Sequence, residues 1–109
     1  MKKKEFAFIE TLSSEQRAKL KGLAHHLKPL VQVGVQGFSD TVQKEIVLAL
    51  DKHELIKVQL PSDTNATVKG EKQNELIALL PKHAHVVSRI GRTVILYLQK
   101  EPHEQKVKL

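Results

Sequence analysis

The sequence predicts a compact single α/β domain, with elements in the order α-β-α-β-α-β-β and a small mixed sheet carrying helices packed on it. Three observations predict it. Apolar residues recur at helical spacing in three segments and alternate or run together in four shorter ones. Cap and turn residues separate those segments. A chain of 109 residues has room for one core.

Residues 1–11 read as an irregular or flexible leader, basic in Lys2-Lys3-Lys4 and apolar in Phe6-Ala7-Phe8-Ile9. Ser13 followed by Gln16 is a capping-box pattern, so the first helix starts there. Leu20, Leu23, Ala24 and Leu27 form its apolar stripe, and Pro29 ends it. Leu30-Val31-Gln32-Val33 is a short strand, and Gly34-Val35-Gln36-Gly37 a tight connection. Ser39 caps a second helix, with Asp40 suiting the dipole of its first turn. Val42, Ile46, Ala49, Leu50 and His53 share its inner face, where His53 is expected as a packed histidine.

Residues 55–60 form a strand with Ile56, Val58 and Leu60 on one face and Leu55, Lys57 and Gln59 on the other. Residues 61–67 carry loop chemistry, and a third helix is expected from about Val68 or Lys69 to Leu80. Strands over 86–90 and 93–98 are joined through Gly91-Arg92 as a hairpin. The folded domain thus spans 12–99, and 100–109 is expected to be a polar tail.

The formal charge of +6 points to a polyanionic partner less than its distribution does. From Gln16 to Ser39, and again from Leu76 to Lys100, there is no acidic residue, whereas residues 40–54 hold Asp40, Glu45, Asp51 and Glu54. Segregation of this kind fits one positive face. At about 100° per residue, Arg17, Lys21 and Lys28 fall on one flank of the first helix, Lys19 and His26 on the other. A strand, a Gly-x-x-Gly turn and a capped helix in succession bring backbone N–H groups to a helix start, where a phosphate is favoured.

Other classes fare worse. The chain has no cysteine, which removes disulfides and thiolate chemistry. No apolar run approaches the ~20 residues that span a bilayer. Glu10 breaks the leader too early for a signal peptide, so a cytoplasmic address is expected. His53-Glu54 begins like a zincin motif, but Lys57 stands where the second histidine belongs. His83 and His85 lack a nearby carboxylate to complete a metal site. Neither an enzyme, a cofactor, a metal nor a small-molecule substrate is expected.

Four ordered blocks carry a family resemblance: residues 21–29 (Lys21-Gly22-Leu23-Ala24-His25-His26-Leu27-Lys28-Pro29), 31–37 (Val31-Gln32-Val33-Gly34-Val35-Gln36-Gly37), 53–58 (His53-Glu54-Leu55-Ile56-Lys57-Val58) and 89–97 (Arg89-Ile90-Gly91-Arg92-Thr93-Val94-Ile95-Leu96-Tyr97). Over roughly 12–99 the chain resembles the bacterial YhbY family of stand-alone CRM domains. The resemblance implies a fold similar to the C-terminal domain of translation initiation factor three. It also implies RNA binding through the Gly-x-x-Gly loop, with ribosomal RNA or a precursor of the large ribosomal subunit as partner.

The residues expected at the RNA are Arg17, Lys21, His25, Lys28, Gly34, Val35, Gln36, Gly37, Lys57, Arg89 and Arg92, on a protein acting as a monomer. Val35 stands where relatives often carry a polar or basic residue, leaving that position to its backbone. The alternative reading is a protein–protein interaction module without direct RNA contact.

Overall fold

The structure is a computed structural model that describes residues 7–34, 37–61, 74–107 and 109. Its elements are α1 (Ser14–Ala24), β1 (Val31–Gln32), α2 (Asp40–His53), β2 (Leu55–Gln59), β3 (Ala84–Ile90) and β4 (Thr93–Leu98). Residues 74–79 are helical between β2 and β3. The order is the expected one. The expected loop over 62–67 and the start of the third helix lie outside the described residues.

One four-stranded sheet runs in the order β1-β2-β4-β3. β1 lies parallel to β2, with Val31 opposite Val58; the other two pairings are antiparallel, so the sheet is mixed. Leu30 N–H donates to the Lys57 carbonyl at 3.0 Å and Val33 N–H to that of Gln59 at 2.8 Å, which extends the short β1 ladder at both ends. Between β3 and β4 the register slips at Val87, an inserted residue after which Ser88 opposes Ile95.

Alternation along the strands divides the interior into two cores, one on each face. Ile56, Val58, Leu60, Val94 and Leu96 face α2 and the 74–79 turns, meeting Ile46, Leu50 and Leu76. Leu55, Val87, Ile95 and Tyr97 face α1, meeting Leu12, Leu20 and Ala24. The result is three layers, with α1 alone on its side of the sheet among the helices described.

Several expectations need correcting. α1 ends at Ala24, well before Pro29. Its last turn tightens into i→i+3 bonds, His25 N–H to Gly22 and Leu27 N–H to Ala24, because Lys28 must leave helical geometry ahead of the proline. The apolar stripe is therefore narrower than expected: Leu20 and Ala24 are buried, but Leu23 is 48% and Leu27 39% exposed. β3 starts at Ala84, two residues before the expected Val86.

His53 is exposed, not packed. It is the last residue of α2, and the chain turns there through Glu54 at φ 64°, a left-handed conformation that an ordinary side chain adopts only when held. One residue therefore suffices to connect α2 to β2.

The expected polar tail packs back onto the domain. Glu54 is fully buried, and its carboxylate accepts from the backbone N–H of Lys106 (2.8 and 3.0 Å) and Val107 (2.8 Å) and from the Gln105 side-chain amide. Lys100 Nζ lies 3.7 Å from the same carboxylate. The Tyr97 hydroxyl donates to the Val107 carbonyl at 3.1 Å, and Val107 packs against the α1-side core. Among the described leader residues, Ile9 joins that core while its N–H donates to Gln99 Oε1 at 2.7 Å.

Candidate nucleic-acid interface

The two loops that the charge pattern singles out meet at one end of the sheet. β1 and β2 run parallel and end together, and antiparallel pairing returns the β3–β4 hairpin to that same end, where Ile90, Thr93 and Gln59 are in register. Gly91 sits at φ 60° in the first central position of the hairpin, the placement that a type II′ turn requires. Leu60 N–H donates to the Arg92 carbonyl at 2.6 Å, tying that hairpin to the end of β2. A cleft of about 170 Å³ follows, lined by Gln32, Gly34, Gln59, Pro61 and Arg92.

At this rim the glycine turn is closed on itself. Gly37, at φ 78°, donates its N–H to the Gly34 carbonyl at 2.9 Å, and Ser39 N–H donates to Gly37 at 3.1 Å. Ser39 Oγ in turn accepts from Val42 N–H, capping α2. Three donors near the helix start are thus consumed within the fold, which shifts the burden of holding an anion from the backbone to side chains. A Cβ built on Gly34 meets no atom within 4 Å, so that glycine leaves open space beside the chain. Val35 and Gln36 lie outside the described residues.

α1 packs on the sheet face formed by Leu55, Val87, Ile95 and Tyr97. Arg17 and Lys21 line a groove with Val87 and Ser88 on the flank facing the hairpin. Ser88 shares a row with Ile95 and Lys57, two residues short of the rim, which is about 6–7 Å along the strands. Lys19 lies on the opposite flank with Leu23, Leu27, His53 and Leu55, at the far end of the sheet. The two flanks expected from helical spacing are therefore distinct, and Arg17 and Lys21 lie over the β3 edge, whereas Gly34 and Arg92 share the cleft at the end of β1 and β2.

The remaining expected residues are dispersed. His25 and Lys28 are exposed at the end of α1 and in the link to β1. Lys57 is engaged internally: its Nζ donates to the carbonyl oxygens of Leu27 at 3.0 Å and His25 at 3.5 Å, placing a cation at the negative end of α1 and fastening the helix to the sheet. Arg89 opposes Val94, a residue of the α2-side core, so it sits on the sheet face away from α1. The paired amides of Gln32 and Gln59, in register at the strand ends, belong to the rim but were not anticipated. Each stands two residues before a turn residue, Gly34 or Pro61.

The electrostatics are otherwise plain. Burial holds the His85 imidazole below the ordinary histidine range, with the charges of His83 and Arg17 adding to the effect. Among the described residues no group of three or more His, Cys, Asp or Glu is placed to hold a metal ion, and no helix is long and apolar enough to cross a membrane.

A three-layer domain whose glycine turn and arginine hairpin meet at one end of a mixed sheet, with a basic helix flank over the β3 edge, defines a class of small basic α/β domains. The chain belongs to the CRS1/YhbY (CRM) domain family, matched over residues 12–97. It is 41% identical over 102 residues to a protein of Haemophilus influenzae named "RNA-binding protein", covering 93% of this chain and 97% of that one. It is 34% identical over 96 residues to the Bacillus subtilis "Probable RNA-binding protein YqeI", covering 86% and 95% of the two chains. The solution structure of the hypothetical protein SAV1595 from Staphylococcus aureus superposes with a TM-score of 0.73 at 27% identity, covering 91% of this chain and 99% of that one.

Proposed function

We propose that this chain binds RNA along the rim formed by the Gly34–Gly37 turn and Arg92, continuing past Lys21 and Arg17, and that ribosomal RNA in a precursor of the large subunit is its partner. The single observation that carries the reading is the cleft shared by Gly34 and Arg92; a separate groove bearing Lys21 and Arg17 lies over the β3 edge. The names of the relatives support it. A sugar–phosphate backbone approaches the open side of Gly34 without meeting a Cβ, while the cations of Arg92, Lys21 and Arg17 neutralise successive phosphates. Lys28 and His25, exposed beyond the end of α1, and Arg89, on the sheet face away from α1, stand apart from this path. Lys57 serves the same surface by holding the end of α1 in position.

A single-stranded RNA neutralised at about four to six phosphates loses affinity with a log–log salt slope near −3 to −4. Filter binding of ribosomal RNA fragments from 50 to 300 mM salt measures that slope. Lys21→Ala and Arg92→Ala each reduce its magnitude by about 0.7. Unchanged slopes in both variants refute the rim. Crosslinking in cells followed by sequencing tests the ribosomal half: enrichment of large-subunit RNA supports it, and even coverage of the transcriptome refutes it.

A second reading, a protein-interaction module, has one observation in its favour: the groove on the other flank of α1 exposes Leu23 and Leu27 beside Leu55 and Val107. A protein partner retained by the Lys21→Ala/Arg92→Ala double variant would support it.

A further inference from the structure

At the β3 edge a cavity of about 310 Å³ opens between the leader, α1 and the helical residues 74–79. It lies at the small end of the range, about 300–1,000 Å³, that ligand sites occupy. Leu12, Ile77 and Leu80 supply apolar walls, and Glu10, Arg17 and His85 supply polar groups. The cavity lining is more polar than apolar, with apolar walls on some sides and polar groups converging on the rest.

Three features mark it as a binding site. The Nε2 atom of His85 is buried without a hydrogen-bond partner, an unusual condition for a buried polar atom. Glu10 and Arg17, both exposed, set opposite charges on the lining of one cavity. Arg17 also lines the groove of Lys21, so a strand following that groove passes the mouth of the cavity.

We propose that this cavity receives one unstacked guanine base of the bound RNA, an inference that rests on the RNA-binding reading above. A phosphate is disfavoured there because the Glu10 carboxylate repels it. A base is not. Guanine alone among the four bases presents two adjacent N–H donors, N1 and N2, which match the two oxygens of a carboxylate. Its O6 and N7 acceptors match the guanidinium fork of Arg17. Adenine offers a carboxylate only its amino group, and uracil a single imino donor. The apolar walls cover the faces of a splayed-out base, the form in which single-stranded RNA is read. The rim would then supply affinity and the cavity sequence preference.

Fluorescence anisotropy with labelled hexaribonucleotides tests this: six uridines, and the same strand with one central guanosine or adenosine. The wild-type chain binds the guanosine strand roughly tenfold tighter than the other two, the discrimination of one good bidentate contact. Glu10→Gln removes the preference while leaving the affinity for six uridines unchanged, and Lys21→Ala weakens all three strands alike. Equal wild-type affinity for the three strands, or a preference that survives Glu10→Gln, overturns the guanine site and leaves the RNA-binding reading standing. Failure of every strand to bind at low salt overturns both.

Discussion

Replacing Glu54 by alanine is the most informative perturbation of the fold. The carboxylate is fully buried and accepts two backbone N–H groups of the tail, from Lys106 and Val107, and the amide of Gln105. Hydrogen bonds to a charged group contribute about 1.5–3 kcal/mol each. Residues 105–107 lie near the surface and regain water once released, so the lower value applies, and the two backbone bonds alone amount to about 3 kcal/mol. At roughly 4–6 °C per kcal/mol for a domain of this size, the melting temperature falls by about 15 °C.

Urea and thermal unfolding followed by circular dichroism measure the loss, and hydrogen exchange at residues 105–107 localises it. Deleting 105–109 reproduces most of the cost, and combining the deletion with Glu54→Ala adds little more, because both remove one interaction. Full additivity, or a cost for Glu54→Ala below about 0.5 kcal/mol, would refute the latch.

The same carboxylate sets a pH dependence. Burial pushes its pKa up, but the bonds from Val107, Lys106 and Gln105 and the charge of Lys100 outweigh it, leaving the pKa below the ordinary glutamate range. A depressed folded pKa means the stabilisation is complete above the unfolded value, about 4.3, and is lost as pH falls through the folded one. Glu54→Gln removes that acid-dependent component, so the gap between wild type and variant narrows below pH 4.

Two further outcomes follow from burial and backbone geometry. Leu20→Ala, at a fully buried site, costs about 2–5 kcal/mol in urea unfolding, whereas Leu23→Gln, half exposed, costs under about 1 kcal/mol. Comparable losses would restore the broader stripe. Gly37→Ala at φ 78° lowers stability by about 1–2 kcal/mol, and an unchanged midpoint would show that the turn relaxes without strain.

What the sequence determined by itself were the features written in local chemistry. Ser13 with Gln16, Ser39 with Asp40, the β2 alternation and the Gly91-Arg92 hairpin each depend on neighbours a few residues away, and each is where spacing and capping place it. The two flanks of α1 were legible for the same reason, since a helix repeats at a fixed angle. Glu54 shows the opposite case. An acid after a helix reads as surface, and only the return of the tail, more than fifty residues later, supplies the donors that allow its burial. Lys57 reads as a free cation until the end of α1 folds over it. The rim depends on strand order: Gly34 and Arg92 are far apart in the chain and adjacent in space because β1, β2 and the β3–β4 hairpin end together. Local bonds are encoded locally, whereas burial and adjacency are decided by which distant segments remove water from one another.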